Sequence, residues 1–431
     1  MNHTFGGPFL FFVRVILMKK FDGITVYTTY ALLIMSYFLS CLIRTSGGVV
    51  LPVVSSSIGL SSTAVGLISG MYFYGYTMSQ PFCGKMCDDK GPLNVEMCGL
   101  VVFTCGLLLF SLAENAFMLC VARLLLGVGA GPTFCGLMVF QAKALPPHLF
   151  SKFMGFTIMF GHFGGVVSIT PLGSAIDMLG YKNVHYILAI FSVIIIFMLY
   201  MMNRRLLFIK SEKEQVSRSS GVLRGFRIIF NSRPLLVVVI VWSLTMILQM
   251  NLIGLWGVSW ISSACLLSQE TARNCMSMGG IGVLAGACII GCTGNKFSKS
   301  AAYLRGFYII QIISLAALII GVSYCWQWES LAALTFIIGM TLGIINVLCN
   351  IFLFKIVGGD LVGTVTGACN VILFLNVLLS QWFSGAFIQK WNETMIFSQV
   401  AAPSAFFALV VVLGIVIFYP IYNTSYKSLN E

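Results

Sequence analysis

Arg44 stands in the run YFLSCLIRTSGGVVLP, Tyr37 to Pro52, and no other charged residue lies between Asp22 and Lys85. A charge at the centre of a bilayer costs about 2.5–3.5 kcal/mol on insertion scales, so a sequence that keeps one there has a use for it. A guanidinium presents a planar fork of N–H donors suited to carboxylate or phosphate, which makes Arg44 a candidate anion-binding residue. The competing reading is a buried arginine satisfied by backbone carbonyls or by hydroxyls such as Ser40 and Thr45. Arg123, in ARLLLGVGAG, is the second in-span arginine, and there helix packing or gating competes with substrate contact. The other polar groups inside apolar runs are His162, which titrates near neutral pH, and the amides Gln249, Asn251, Asn346, Asn350, Asn370 and Asn376. Asn346 and Asn350, spaced i, i+4, share a helix face. The 13 acidic residues fall in loops or near the ends of apolar runs, with Asp177 the one placed to reach inward. No buried carboxylate is therefore expected beside Arg44, and facilitated diffusion or exchange competes evenly with proton symport.

The remaining constellations carry less. Cys83/Cys87 and Cys288/Cys292 have the i, i+4 spacing of a two-ligand metal face, but no His or acidic residue completes either pair. They read as small buried hydrophobes, and no metal or cofactor is expected. The scatter of the 14 cysteines argues against a disulfide framework. Tyr72/Tyr76 and Trp256/Trp260 are i, i+4 aromatic pairs for which packing competes with a gating role. Nucleotide-binding glycine loops and nucleophile elbows are missing, so an enzyme is not expected.

The elements that must position these groups are membrane spans. The chain of 431 residues is 58% apolar and 9% charged, a combination outside the soluble globular range, and apolar runs long enough to cross a bilayer recur along it. The predicted architecture is an all-α polytopic membrane protein of twelve transmembrane helices in two six-helix pseudo-symmetric bundles, with spans near 27–49, 64–84, 94–113, 117–140, 153–175, 185–202, 234–262, 276–294, 304–324, 331–353, 363–388 and 399–420. The expected divisions are a cytoplasmic segment over 1–26, a first bundle over 27–202, a basic cytoplasmic linker over 203–233, a second bundle over 234–420 and a tail over 421–431. Of the 25 Lys and Arg residues, 20 fall on the side of the linker and three on the other, Lys182, Arg273 and Lys390. That asymmetry is the positive-inside bias. It places both termini in the cytoplasm and accounts for the net charge of +12 without nucleic acid. The linker's basic charge would lie against anionic headgroups. Residues 1–17 read as an upstream extension or an interfacial segment, since Met18-Lys-Lys resembles a second start. GKMCDDKGP after span 2 aligns with GCTGNKFSK after span 8, Gly155 with Gly367, and Gly173 with Gly385, as in a chain whose second half repeats its first.

Twelve spans, a basic central loop and GKMCDDKGP together resemble the major facilitator superfamily. Gly84, Asp88 and Gly91 match the family's loop signature, while Asp89 and Pro92 stand where basic residues are usual; Arg123, Gly127, Gly129 and Ala130 match a span-4 element. The antiporter signature of span 5 is absent. YFYGYTMSQPFCGKMCDDKGP and GLWGVSWISSA are similar in texture to a bacterial metabolite-carrier branch akin to the lysosomal dipeptide transporter. The resemblance implies a cavity lined by helices 1, 4, 7 and 10, hence a substrate site drawn from Arg44, Arg123, His162, Gln249, Asn251, Asn346 and Asn350. It implies a cytoplasmic latch at Gly84, Asp88 and Gly91, with Asn295 as the repeat's counterpart. The expected function is alternating-access transport of a small anionic or zwitterionic solute: amino acid, short peptide or organic acid. The alternatives are an organophosphate or sugar-phosphate exchanger and a non-transporting, transporter-like receptor. The expected partners are that solute, the bilayer and, for a symporter, a proton; the expected setting is a monomer in a bacterial inner membrane.

Overall fold

The computed structural model describes residues 7–145, 150–206, 222–297, 301–357, 362–394 and 403–410. The described residues are all helical with short connections. In order they form α1 (Gly7–Thr45), α2 (Gly47–Ile58), α3 (Ser62–Lys90), α4 (Pro92–Leu112), α5 (Ala116–Ala144), α6 (Phe150–Val167), α7 (Thr170–Leu179) and α8 (Tyr181–Leu206). Then come α9 (Val222–Asn231), α10 (Arg233–Leu248), a π-helical segment (Gln249–Trp256), α11 (Gly257–Cys265), α12 (Gln269–Phe297), α13 (Ala301–Ser323), α14 (Trp328–Val357) and α15 (Val362–Thr394). Residues 403–410 are also helical.

Local signals set the boundaries. The side chains of Ser61 and Asn115 cap α3 and α5 by accepting from the backbone N–H groups of Ala64 and Met118, satisfying donors that a helix start leaves open. Gly91, at φ +84°, turns α3 into α4, and Pro92 opens the new helix where its missing N–H costs nothing. The GKMCDDKGP stretch, expected as a loop, is thus helical up to Lys90. Gly84 and Asp88 lie in α3 and Asn295 in α12, and their side chains fall outside the described residues, so the latch expectation does too.

Nine helices among the described residues are long and apolar enough to cross a membrane, or ten if the bent pair over 153–179 is one span. The expectation was twelve. The span expected over 399–420 falls mostly outside the described residues. Helix α3 is long enough at 29 residues but rich in Gly, Ser and Tyr, and its surroundings explain why. A Cβ on Gly127 of α5 would meet the Tyr72 carbonyl oxygen of α3 at 2.0 Å, and one on Gly66 of α3 would meet the Gln381 carbonyl of α15 at 2.3 Å. A helix clamped backbone to backbone on two sides faces protein rather than lipid, and small residues are what permit that approach.

Three helices are interrupted in mid-course. Helix 1 breaks at Ser46 into α1 and α2; helix 5 bends by 42° between Val167 and Thr170; helix 7 carries the π segment between α10 and α11. The interruptions face one another. The Thr45 and Ser168 hydroxyls are 2.8 Å apart, and a Cβ on Gly48 would sit 2.9 Å from the Leu255 carbonyl oxygen. Beyond these breaks, at the end of the bundle away from the α8–α9 linker, the halves close on each other. The Thr63 N–H of α3 donates to Gln389 Oε1 of α15 at 3.4 Å, and Arg273 of α12 makes a two-pronged ion pair with Asp177 of α7. This is called the far end below. Gly173 and Gly385, aligned as repeat counterparts, both sit in it. A Cβ on Gly173 would meet the Arg273 side chain, and one on Gly385 would meet the Ser62 carbonyl.

Candidate functional site

Arg44 occupies the last turn of α1, immediately before the Ser46 break. A helix C-terminus leaves carbonyls unpaired and carries partial negative charge, which suits a cation. Its hydrogen bonding is nevertheless incomplete. One terminal nitrogen donates weakly to Cys41 Sγ at 3.4 Å, and the buried Nε has no partner. Ser40, the sequence's proposed satisfier, is engaged with Tyr72 at 3.2 Å, and Thr45 with Ser168. Arg44 opens onto a narrow cavity of about 30 Å³ that it shares with Thr45, His162, Gln249, Met250 and Ile253. That volume holds a water or two, so the site as it stands is collapsed around the guanidinium.

The cavity walls come from α1, α6, the π segment and α12, that is from helices 1, 5, 7 and 8 rather than 1, 4, 7 and 10. Helix 10 reaches it indirectly: the Asn346 amide donates to Gln249 Oε1 at 2.9 Å. Arg44, His162 and Gln249 thus line one cavity with Asn346 bonded behind Gln249, and the other expected residues are placed elsewhere. Arg123 is buried 5.3 Å over the Phe110 ring and donates to the Ile43 carbonyl at 3.1 Å, steadying α1 from behind its break. Asn251 is turned toward α15, donating to the Ile247 carbonyl and to Ser380 Oγ and accepting from Ser384 Oγ. Asn350 is exposed and donates to the Asn346 carbonyl. Asn376 bonds Ser243. Tyr72 and Tyr76 are buried and stack on each other, with Tyr76 edge-on to Phe374 of α15, and Trp256 and Trp260 donate to Ser384 and Ser404. Asp177, expected to reach inward, instead closes the far end.

Sequence reasoning missed Glu96, which it placed near a span end. Glu96 lies on the second turn of α4, fully buried. Its Oε1 contacts Ser36 Oγ of α1, its Oε2 has no partner, and a Cβ on Gly136 of α5 would come within 3.2 Å of Oε2. The described residues therefore do hold a buried carboxyl, on α4 and against Ser36 of the α1 stripe Ser36, Ser40, Arg44. No linear signal marks it, because only the packing of α1 and α5 over α4 removes it from the surface.

The described residues thus form a bundle of helices closed at one end, with an under-satisfied arginine at the helix breaks. The chain belongs to the Major Facilitator Superfamily, whose family model matches residues 33–380. It is 20% identical over 265 residues to the sialic acid transporter NanX of Escherichia coli (strain K12), covering 60% of this chain and 62% of that one. It is 25% identical over 159 residues to probable anion transporter 5 of Arabidopsis thaliana, covering 36% and 37%. The chain thus spans less than two thirds of the length of these curated relatives. Among solved structures it resembles a bacterial homologue of the human lysosomal transporter Spinster in an inward-facing, unoccupied conformation, with a TM-score of 0.74 over 94% of this chain and 97% of that one at 14% identity. That likeness concerns the fold.

Proposed function

We propose that the chain is a secondary transporter that carries a small anionic or zwitterionic solute by alternating access. Arg44 docks the anionic group; Gln249, held by Asn346, and His162 read the polar remainder. The observation that carries this reading is that the Arg44 guanidinium lines the cavity with its buried Nε lacking an acceptor and with no carboxylate partner among the described residues, whereas the unpaired Nε and Nη2 of Arg123 do not line it. Leaving such a donor unmatched is costly, and an anionic cargo supplies what the protein withholds. The names of two relatives, a sialic acid transporter and a probable anion transporter, agree in charge. With the far end closed, the cargo enters from the linker end, and the 30 Å³ cavity must widen to admit it. We further propose that α3 and the 399–420 segment complete twelve spans, with the linker and both termini cytoplasmic in a bacterial inner membrane.

The test is a thermal-shift screen of wild type and Arg44→Ala in detergent against N-acetylneuraminate, amino acids, dipeptides, dicarboxylates, sugar phosphates and neutral sugars, followed by flux of any ligand found in proteoliposomes. A ligand at 100 times its Kd stabilises the binding state by about 2.7 kcal/mol. Stabilisation of wild type alone by anionic or zwitterionic solutes supports the reading. Equal stabilisation of both proteins by neutral solutes overturns the role of Arg44, and binding without flux favours a receptor.

A further inference from the structure

Two cysteines at the far end lie where the helices of the second half terminate. Cys265 is the last residue of α11, and Leu266 after it is left-handed at φ 53°. Cys325 follows the end of α13 and is itself left-handed at φ 49°. Its turn is fixed by Cys325 N–H donating to the Val322 carbonyl and Trp326 N–H to the Gly321 carbonyl. The two thiols cross: Cys265 Sγ lies 3.6 Å from the Val322 carbonyl, while Cys325 Sγ lies 3.4 Å from the Ala264 carbonyl and 3.8 Å from that of Val322. Both sulfurs thus have the Val322 carbonyl oxygen as a shared neighbour. Cys325 is exposed and Cys265 partly so.

The residue type at 325 sharpens the point. A left-handed position closing a helix favours glycine or asparagine. A cysteine held there is strained, and strain of this kind is kept where the side chain has a use. The third nearby thiol, Cys275, is buried and directed to the Trp328 carbonyl.

We propose that Cys265 and Cys325 form a disulfide when the far end faces an oxidising compartment, stapling the outer piece of helix 7 to the α13–α14 turn. The oxidant is a disulfide of the glutathione or thiol-oxidoreductase class. The Cys325 thiolate attacks one sulfur of that disulfide and expels a thiolate. The Cys265 thiolate then attacks Cys325 Sγ in the mixed disulfide and expels the second. Two protons leave the protein and two electrons reduce the oxidant to two thiols. The staple lies within the second half, so it steadies α11 without tying the halves together. This inference does not depend on the cargo reading.

The experiment uses full-length protein blocked with N-ethylmaleimide in the expressing cells, then purified and mapped by non-reducing peptide mass spectrometry. A second sample is reduced and exposed to glutathione disulfide. The expected result is a linked Cys265–Cys325 peptide pair, two hydrogens lighter than the dithiol form and lost on reduction, with a melting midpoint that reductant lowers. Cys325→Gly relieves the left-handed residue and removes the thiol. It should fold as wild type does, lack the linkage, leave Cys265 free to label and melt independently of reductant. Two labelled thiols in the cell sample with only glutathione adducts in the other, or linkage of Cys265 to Cys275, would overturn the proposal.

Discussion

Arg44 and Ser36, the partner of Glu96, lie on one stripe of α1; Arg44 and Glu96 each have an incomplete hydrogen-bond inventory, and each predicts a different substitution pattern. At Arg44 the argument rests on the planar fork, not on charge alone. Arg44→Lys keeps the charge and should still weaken anion-induced thermal stabilisation, by more than tenfold in apparent Kd, because a lysine presents a point charge where a bidentate partner is needed. An unaltered Kd would place the recognition elsewhere. At Glu96, Ser36 Oγ sits within reach of two acceptors, the Leu33 carbonyl and the carboxyl, yet a hydroxyl has one proton to give. A donor at position 96 lets Ser36 accept from it and donate to Leu33. Glu96→Gln supplies such a donor and should melt close to wild type, whereas Glu96→Ala should lose about 1–3 kcal/mol. Equal melting of the two variants would refute this accounting. Arg44 was legible in the sequence because a lone charge in an apolar run is a linear signal. Glu96 was not, because its burial exists only once α1, α4 and α5 have packed.

At the scale of elements, the backbone contact of α3 with α5 sets how closely helices 2 and 4 can lie. Gly127→Ala puts a methyl group 2.0 Å from the Tyr72 carbonyl oxygen, and neither backbone can yield without tilting its helix. The expected loss is about 1–3 kcal/mol or more, read as a lower midpoint of heat-induced aggregation on size-exclusion chromatography. Gly155→Ala, where nothing lies within 4 Å, is the control that should leave the midpoint unmoved. Elements differed in how far the sequence revealed them. Helices α4, α8 and α13 followed from unbroken apolar runs. The interruptions of helices 1, 5 and 7 did not. A break at Ser46 is set by Gly47 and Gly48 meeting the carbonyls of Gly254 and Leu255 across the bundle, and a π segment over 249–256 by Asn251 and Gln381 bonding between helix 7 and α15. Hydropathy registers whether a run is long enough to span and is blind to where its hydrogen-bond ladder changes step.

At the scale of the whole molecule, the far end is closed by two unlike contacts. The α3–α15 contact is backbone packing, with Gly66 and Gly385 against the carbonyls of Gln381 and Ser62; the α7–α12 contact is the Asp177–Arg273 pair with Thr170, Asn274 and Ser277 hydrogen-bonded beside it. Breaking a fully buried pair by removing one partner costs about 3–5 kcal/mol. Asp177 is 52% exposed, so the cost here is smaller, but Arg273 is left buried without a counter-charge. Asp177→Asn should therefore broaden the spin-label distance distribution across the far end, and the Asp177→Arg/Arg273→Asp exchange should narrow it again. A distribution that the single variant leaves unchanged would show that the pair does not hold the closure. The half-exposed carboxylate has one more consequence. Dissolved ions weaken the attraction between charges, less for a partly buried pair in contact than for distant exposed ones, while backbone packing does not respond to them. Salt added to the compartment bathing the far end should loosen one seam of the closure and spare the other. The same salt on the linker side should do nothing to either, so the molecule senses the ionic strength of a single compartment.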